Sequence, residues 1–297
     1  MAGSLQKRPG MKGPNDTTWE EIMRARCSLG AMVLAAFYLT IGSAQALDES
    51  KYPDFSGQWS RVGPPRWLRP GEKAPLTPEY QARYNAILAD QKAGGTGNWP
   101  STFCVPQGMP AMMNLFDPME IVITLRTTYI LISHINDSYR RVYTDGRDWP
   151  APEEVDPTFA GYSIGKWLDE DGDGKFDVLE IETRYLKGPR AVESTGLPVH
   201  DDNKTIIKER IYVDKSDPDT LWDDITMIDN AYVRPWTLHK KAVRTKSARP
   251  VWYSEVCEEN NSLLRIGKEA YFLSAEGYLM PSKKDQPPPD LRYFQSK

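Results

Sequence analysis

The chain has 297 residues, with 37 Lys/Arg against 41 Asp/Glu and a formal net charge of −4. Mild acidity without a basic stripe argues against nucleic acid as a partner. The length suits one large domain or two small ones once an N-terminal leader is set aside.

From Met23 the sequence runs MRARCSLGAMVLAAFYLTIGSAQA: two arginines, an apolar run, then Ala44-Gln45-Ala46. A basic n-region, a short h-region and an A-x-A site form a secretory signal peptide, with cleavage after Ala46. The apolar run is shorter than the ~20 residues of a membrane span, so no stable span is expected after cleavage. Residues 1–22 are polar and unlike a signal n-region, which makes Met23 an alternative start. An exported protein, periplasmic or secreted, follows from this reading. The leader holds five Lys/Arg and three Asp/Glu, leaving 32 basic and 38 acidic residues and a net charge of −6. Cys27 leaves with it; Cys104 and Cys257 remain and, in an oxidising compartment, most simply form one disulfide.

In chain order, FSGQWSR (55–61) reads as a strand, and GPPRWLRPGEKAPLTP (63–78) as an extended connection. Thr77-Pro78-Glu79 then supplies an N-cap, a proline at the first helical position and an early acid. Tyr80, Tyr84, Ile87, Leu88 and Gln91 share a helical face that Gly94-Gly95 ends. Runs rich in β-branched and aromatic residues follow at 119–125 (MEIVITL), 128–135 (TYILISHI) and 140–144 (RRVYT), and Asp145-Gly146 reads as a hairpin turn. Strict alternation marks 179–185, 205–213 and 220–228 as half-buried strands, and 237–243 and 251–257 bring the count to about nine. A weaker helix is expected over 262–273, and 281–297 is a proline-rich charged tail. The fold class is mainly β: an antiparallel barrel or sandwich of about 8–9 strands with one or two peripheral helices, forming a single domain over 47–280.

Between 167 and 183 the chain reads WLDEDGDGKFDVLEIET. A twelve-residue calcium loop takes side-chain oxygens at positions one, three and five, glycine at six, a carbonyl at seven and a bidentate glutamate at twelve. Asp169, Asp171, Asp173, Gly174, Lys175 and Glu180 fill those places, with Asp177 at nine. Neither flank is helical, so a structural calcium loop at the tip of a β-hairpin is predicted, against the plainer alternative of a solvated acidic turn.

Catalytic signals are sparse. His134, His200 and His239 form no zinc pattern, and no nucleophile elbow, phosphate loop or dinucleotide fingerprint occurs. Glu209 shares the apolar face of its strand with Ile207, Ile211 and Val213, so it must be paired or have a raised pKa. Asp223 stands in the same position beside Leu221, Ile225 and Met227. Glu209, His134, His200 and Asp145 are the candidates for acid–base chemistry.

The run DFSGQW (54–59) resembles the opening of many exported barrels of lipocalin-like character. CVPQGMP (104–110), RRVYTDGR (140–147), GYSIGKW (161–167), KERIYV (208–213) and VCEENN (256–261), in this order, resemble an uncharacterised family of secreted proteobacterial proteins. The resemblance implies export and a lipocalin-like β-rich fold; it lends no catalytic residue, because the family carries no assigned reaction. Both cysteines fall inside these stretches, which supports their pairing. The family's hairpin after G-x-S-I-G-x-W is usually short, so the acidic loop is a departure of this chain. Two functions follow. One is a barrel binding a small apolar or aromatic molecule, with Trp59, Trp67, Trp99, Trp167, Trp222, Trp236 and Trp252 as candidate lining. The other is an acid–base enzyme (hydrolase, lyase or isomerase type) in the same cavity; a subunit of an envelope assembly is a third, weaker reading.

Overall fold

Nine alternating strands close into a ring, and nine is an odd number. A closed ring of odd count cannot alternate up and down throughout, so at least one neighbouring pair must run parallel. The computed structural model, which describes residues 46–297 apart from 65, 70, 115–117, 134–137, 189–190, 254–255 and 293–297, places that pair at β4–β5. The expected signal peptide, up to its last residue, and His134 lie outside the described residues.

The barrel runs β1 (Gln58–Arg61), β2 (Met119–Ile123), β3 (Thr127–Ile132), β4 (Ser138–Tyr143), β5 (Tyr162–Leu168), β6 (Val178–Arg184), β7 (Ile206–Asp214), β8 (Asp217–Ile228) and β9 (Trp236–Arg244), and β9 closes on β1. The other eight neighbouring pairs are antiparallel. The barrel is therefore mixed rather than purely antiparallel, and the sandwich alternative falls away. Asp145-Gly146 is no hairpin turn: it begins a crossover, 144–161, that returns the chain to the end of the barrel from which β4 started.

Alternation decides what fills the ring. Ile130, Ile132, Val142, Leu179, Ile181, Ile207, Ile211, Leu221, Ile225 and Met227 are buried and belong to one core, with Phe55, Trp59 and Trp67. Gly165 of β5 is inward-facing, and a Cβ there would stand 2.5 Å from Val142 Cγ1, so the ring is narrow at the parallel pair.

Helix α1 (Pro78–Lys92) starts as its sequence predicts: Thr77 is extended and its hydroxyl accepts the Tyr80 N–H at 3.4 Å. Tyr80 is buried, whereas Leu88, placed on the same face by its spacing, is 39% exposed. Two expectations fail further along the chain. Residues 251–253 are irregular and Cys257 opens a short 3-10 turn, because the segment is held by side chains instead of a neighbouring strand: Gln58 Nε2 donates to Val251 O, the Ser133 hydroxyl to Tyr253 O, and Cys257 is bonded to Cys104. Residues 262–273 form no helix. They make β10 (Leu263–Ile266) and β11 (Glu269–Leu273), a hairpin turning at Gly267 (φ 63°) and Lys268 and completed by β12 (Leu279–Pro281). A glycine at the first central position of a two-residue turn is a hairpin signal that outweighs the helical spacing.

Candidate functional site

β4 and β5 pair at only two positions, Val142↔Ser163 and Tyr143↔Ile164, and then part. A pocket of about 420 Å3 lies where the first half of β4 faces the end of the crossover. Pro106, Met112, Tyr139, Tyr143, Phe159 and Tyr162 give it an aromatic and apolar lining. The floor is built by close backbone approach: Met109 N–H donates to Phe159 O at 2.9 Å, and a Cβ on Gly108 would sit 2.2 Å from the same oxygen. Gln107, 7% exposed, also lines the pocket; its amide donates to Ser101 Oγ at 2.6 Å, and its Oε1 has no partner among the described residues. At the rim the Arg147 guanidinium lies 3.8 Å from the Tyr143 ring centre, and Tyr143 stacks on Tyr162 at 4.9 Å.

Behind the pocket, one side chain from each of four successive strands forms a buried polar row. Arg140 (β4) donates through Nε to Ser163 Oγ (β5) at 3.1 Å and through a terminal nitrogen to Thr183 Oγ1 (β6) at 2.7 Å. Both terminal nitrogens reach the Glu209 carboxylate (β7), one at 2.8 Å to Oε1. All four side chains are essentially inaccessible. Glu209 is thus the paired buried carboxylate its alternation demanded, with both of its oxygens taken by Arg140. Arg140 was legible too, since it shares a strand face with Val142 in RRVYT, but its charge made a buried position easy to overlook.

Asp223, on β8 next to that row, is 6% exposed, and neither carboxylate oxygen has a hydrogen-bond partner among the described residues. Burial first, and then the Glu209 carboxylate, push the Asp223 carboxyl well above the usual carboxylate range, with Arg140 opposing them. It faces a cavity of about 40 Å3 shared with Trp59, Met112, Met113, Met119 and Lys240. That is a water-sized space. The barrel interior beside Asp223 is therefore filled by side chains, and Met112 lines both this small cavity and the larger pocket outside.

The remaining predicted residues lie apart. Asp145 is gripped by Arg147 through two contacts, 2.8 and 2.6 Å, which hold its pKa down to about 2. His200 sits in a loop: its ring packs on Tyr80 at 5.1 Å, and its Nδ1 accepts the Asp202 N–H at 3.1 Å. Cys104 and Cys257 are disulfide-bonded across 153 residues. The acidic stretch is the tip of the β5–β6 hairpin, closed by Leu168↔Val178. Asp169, Asp171 and Asp177 bring one oxygen each within 4.8 Å of one another. Asp169 also accepts the N–H groups of Gly172 and Gly174, and Gly174 takes φ 87°, the turn a calcium loop needs at its sixth position. Asp173 accepts the Lys175 N–H at 2.8 Å. Glu180 lies on β6 with its carboxylate 3.9 Å from Arg210, and the Lys215 ammonium bridges Asp171 and Asp177 at 2.6 and 3.1 Å. Three carboxylates therefore converge as a hard-cation donor set, and Glu180 stands outside it.

Compared with protein-family models, curated proteins and solved structures, the chain finds no match in any of the three. Among the described residues no helix is long and apolar enough to cross a membrane.

Proposed function

We propose that this is an exported β-barrel protein of the secreted, lipocalin-like kind its motifs resemble, and that it binds a small apolar or aromatic molecule at the β4–β5 opening. The observation that carries this reading is the pocket itself. Its volume of about 420 Å3 falls in the range of small-molecule sites, and four aromatic rings and Met112 share its lining with one buried amide, Gln107, and with Arg141 and Asp156. Methionine at the inner wall adapts its shape to a ligand more readily than a branched residue would. The disulfide accords with an oxidising compartment. The acid–base alternative has less behind it, because Glu209 and Asp145 are both tied into ion pairs.

At the hairpin tip we propose a structural calcium ion held by Asp169, Asp171 and Asp177 with loop carbonyls, which requires Lys215 to swing aside. The ion would pin the loop.

The test uses mature protein purified without detergent. Native mass spectrometry reads any co-purified organic mass, and the uncharged fluorophore N-phenyl-1-naphthylamine reports the pocket directly. Saturable one-site enhancement that disappears in Val155→Trp, which fills the pocket from its outer wall, is expected. Absence of binding, or binding indifferent to Val155→Trp, would overturn the reading.

A further inference from the structure

A second groove, of about 600 Å3, lies between the chain after β1 and strands β8 and β9. Its charge is unlike that of the rest of the protein. Arg66, Arg69 and Lys73 line it from one side, and Arg234, Lys240 and Lys241 from the other. Against these six cations stands one lining carboxylate, Glu72, already engaged by Arg69. None of Arg66, Lys73, Arg234 and Lys241 has a carboxylate within ion-pair distance among the described residues. This concentration occurs on a chain whose overall charge is −4.

The groove is held in shape. Val62 N–H donates to Lys241 O at 2.9 Å, and the Lys240 ammonium donates to Arg66 O at 2.8 Å. On the other side of the strap, the backbone N–H groups of Trp67 and Leu68 both donate to the buried carboxylate of Glu193. Burial, then the charges of Arg61 and Arg69 working against Glu193, push the Lys240 pKa down to about 8. An ammonium so placed gains from any anion that enters. Trp222, half-buried on β8, also lines the groove, with the Lys241 ammonium over its ring 5.7 Å from the centre.

We infer that this groove is a binding site for a compact polyanion, a small molecule carrying several carboxylate or phosphate groups, with Trp222 available to stack against a flat part of it. Long polyanions are disfavoured because the surface beyond the groove is acidic on balance. Like charges left unpaired in a preformed cleft repel one another, and a multivalent anion relieves that repulsion at several points at once. The site is independent of the β4–β5 pocket, with which it shares no lining residue.

Two probes separate the two acid groups: benzene-1,3,5-tricarboxylate and inorganic tripolyphosphate. Each is titrated into the mature protein at pH 7 and low salt by calorimetry, with tryptophan fluorescence in parallel. At least one is expected to bind, with affinity about tenfold weaker when the ionic strength is raised to ~0.2 M. Whichever binds more tightly names the acid group. Arg66→Gln combined with Lys73→Gln, both exposed and outside the barrel core, should weaken it by about tenfold or more while far-UV and near-UV dichroism stay unchanged. The inference is overturned if neither probe binds up to millimolar concentration, or if the double variant binds as tightly as the parent.

Discussion

Replacing Arg140 by methionine removes the only cation touching Glu209 among the described residues and leaves a carboxylate that is 1% exposed without its partner. Breaking one side of a buried pair costs about 3–5 kcal/mol, because the remaining charge has lost both solvent and counterion. Whole domains are stable by only about 5–15 kcal/mol. At a urea dependence of about 2–3 kcal/mol per molar, the unfolding midpoint should fall by about 1–2 M. Arg140→Met with Glu209→Leu should recover most of that loss, since two apolar side chains of similar volume carry no desolvation penalty. Urea titrations at pH 7 followed by tryptophan fluorescence measure the deficit and its recovery. A single-variant cost below about 1 kcal/mol, or a double variant no better than the single, would refute this account of the pair.

Other consequences are as direct. Asp223 has a folded pKa above its unfolded value, so it binds the proton more tightly when folded and its contribution to stability declines as pH rises from about 4, by at most ~1.4 kcal/mol per pH unit; Asp223→Asn should remove that decline and be the more stable protein at pH 7, as denaturation at several pH values will show. Calcium added to chelator-treated protein should raise Tm, by an amount equivalent to about 2.7 kcal/mol at a hundredfold excess over Kd, and Asp169→Ala with Asp177→Ala should abolish the rise. Cys104→Ala with Cys257→Ala opens a loop of 153 residues and should cost about 2–5 kcal/mol by the same urea assay.

Local pattern carried most of the barrel: eight of its nine strands stand where alternation or β-branched and aromatic composition puts them, and β5 follows from reading the acidic stretch as a hairpin tip. What one-dimensional periodicity lacks is partner and direction. VWYSEVC has the composition of a strand, yet a disulfide and two side-chain hydrogen bonds to its carbonyls hold it irregular. Asp145-Gly146 has the dipeptide of a hairpin, yet nine strands cannot close without a parallel pair, and the chain must cross over after one of them. At the site, alternation turned Glu209 and Asp223 inward correctly. Ser163 and Thr183 gave no signal, because a short hydroxyl on a strand becomes informative only once a guanidinium is seen to reach it. The β4–β5 pocket was illegible for the same reason, being made by the separation of two strands whose adjacency no local pattern encodes.

That separation also gives the buried row a purpose beyond neutralising Glu209. Backbone pairing between β4 and β5 amounts to two residue pairs, against seven between β5 and β6. The row spans the weak junction from inside: Arg140 on β4 bonds Ser163 on β5, then Thr183 on β6 and Glu209 on β7. Three of its four members come from stretches singled out in the sequence: Arg140 from RRVYTDGR, Ser163 from GYSIGKW and Glu209 from KERIYV. A buried ion pair contributes little net stability against an apolar replacement, but its directional bonds fix how far two strands stand apart, which apolar contacts do not. Stability and pocket geometry should therefore separate. In Arg140→Met with Glu209→Leu the urea midpoint should return close to that of the parent, while binding of N-phenyl-1-naphthylamine at the β4–β5 opening weakens by about tenfold or more. Full recovery of both would reduce the row to a neutralised charge; loss of binding with stability restored would show that its hydrogen bonds set the width of the opening.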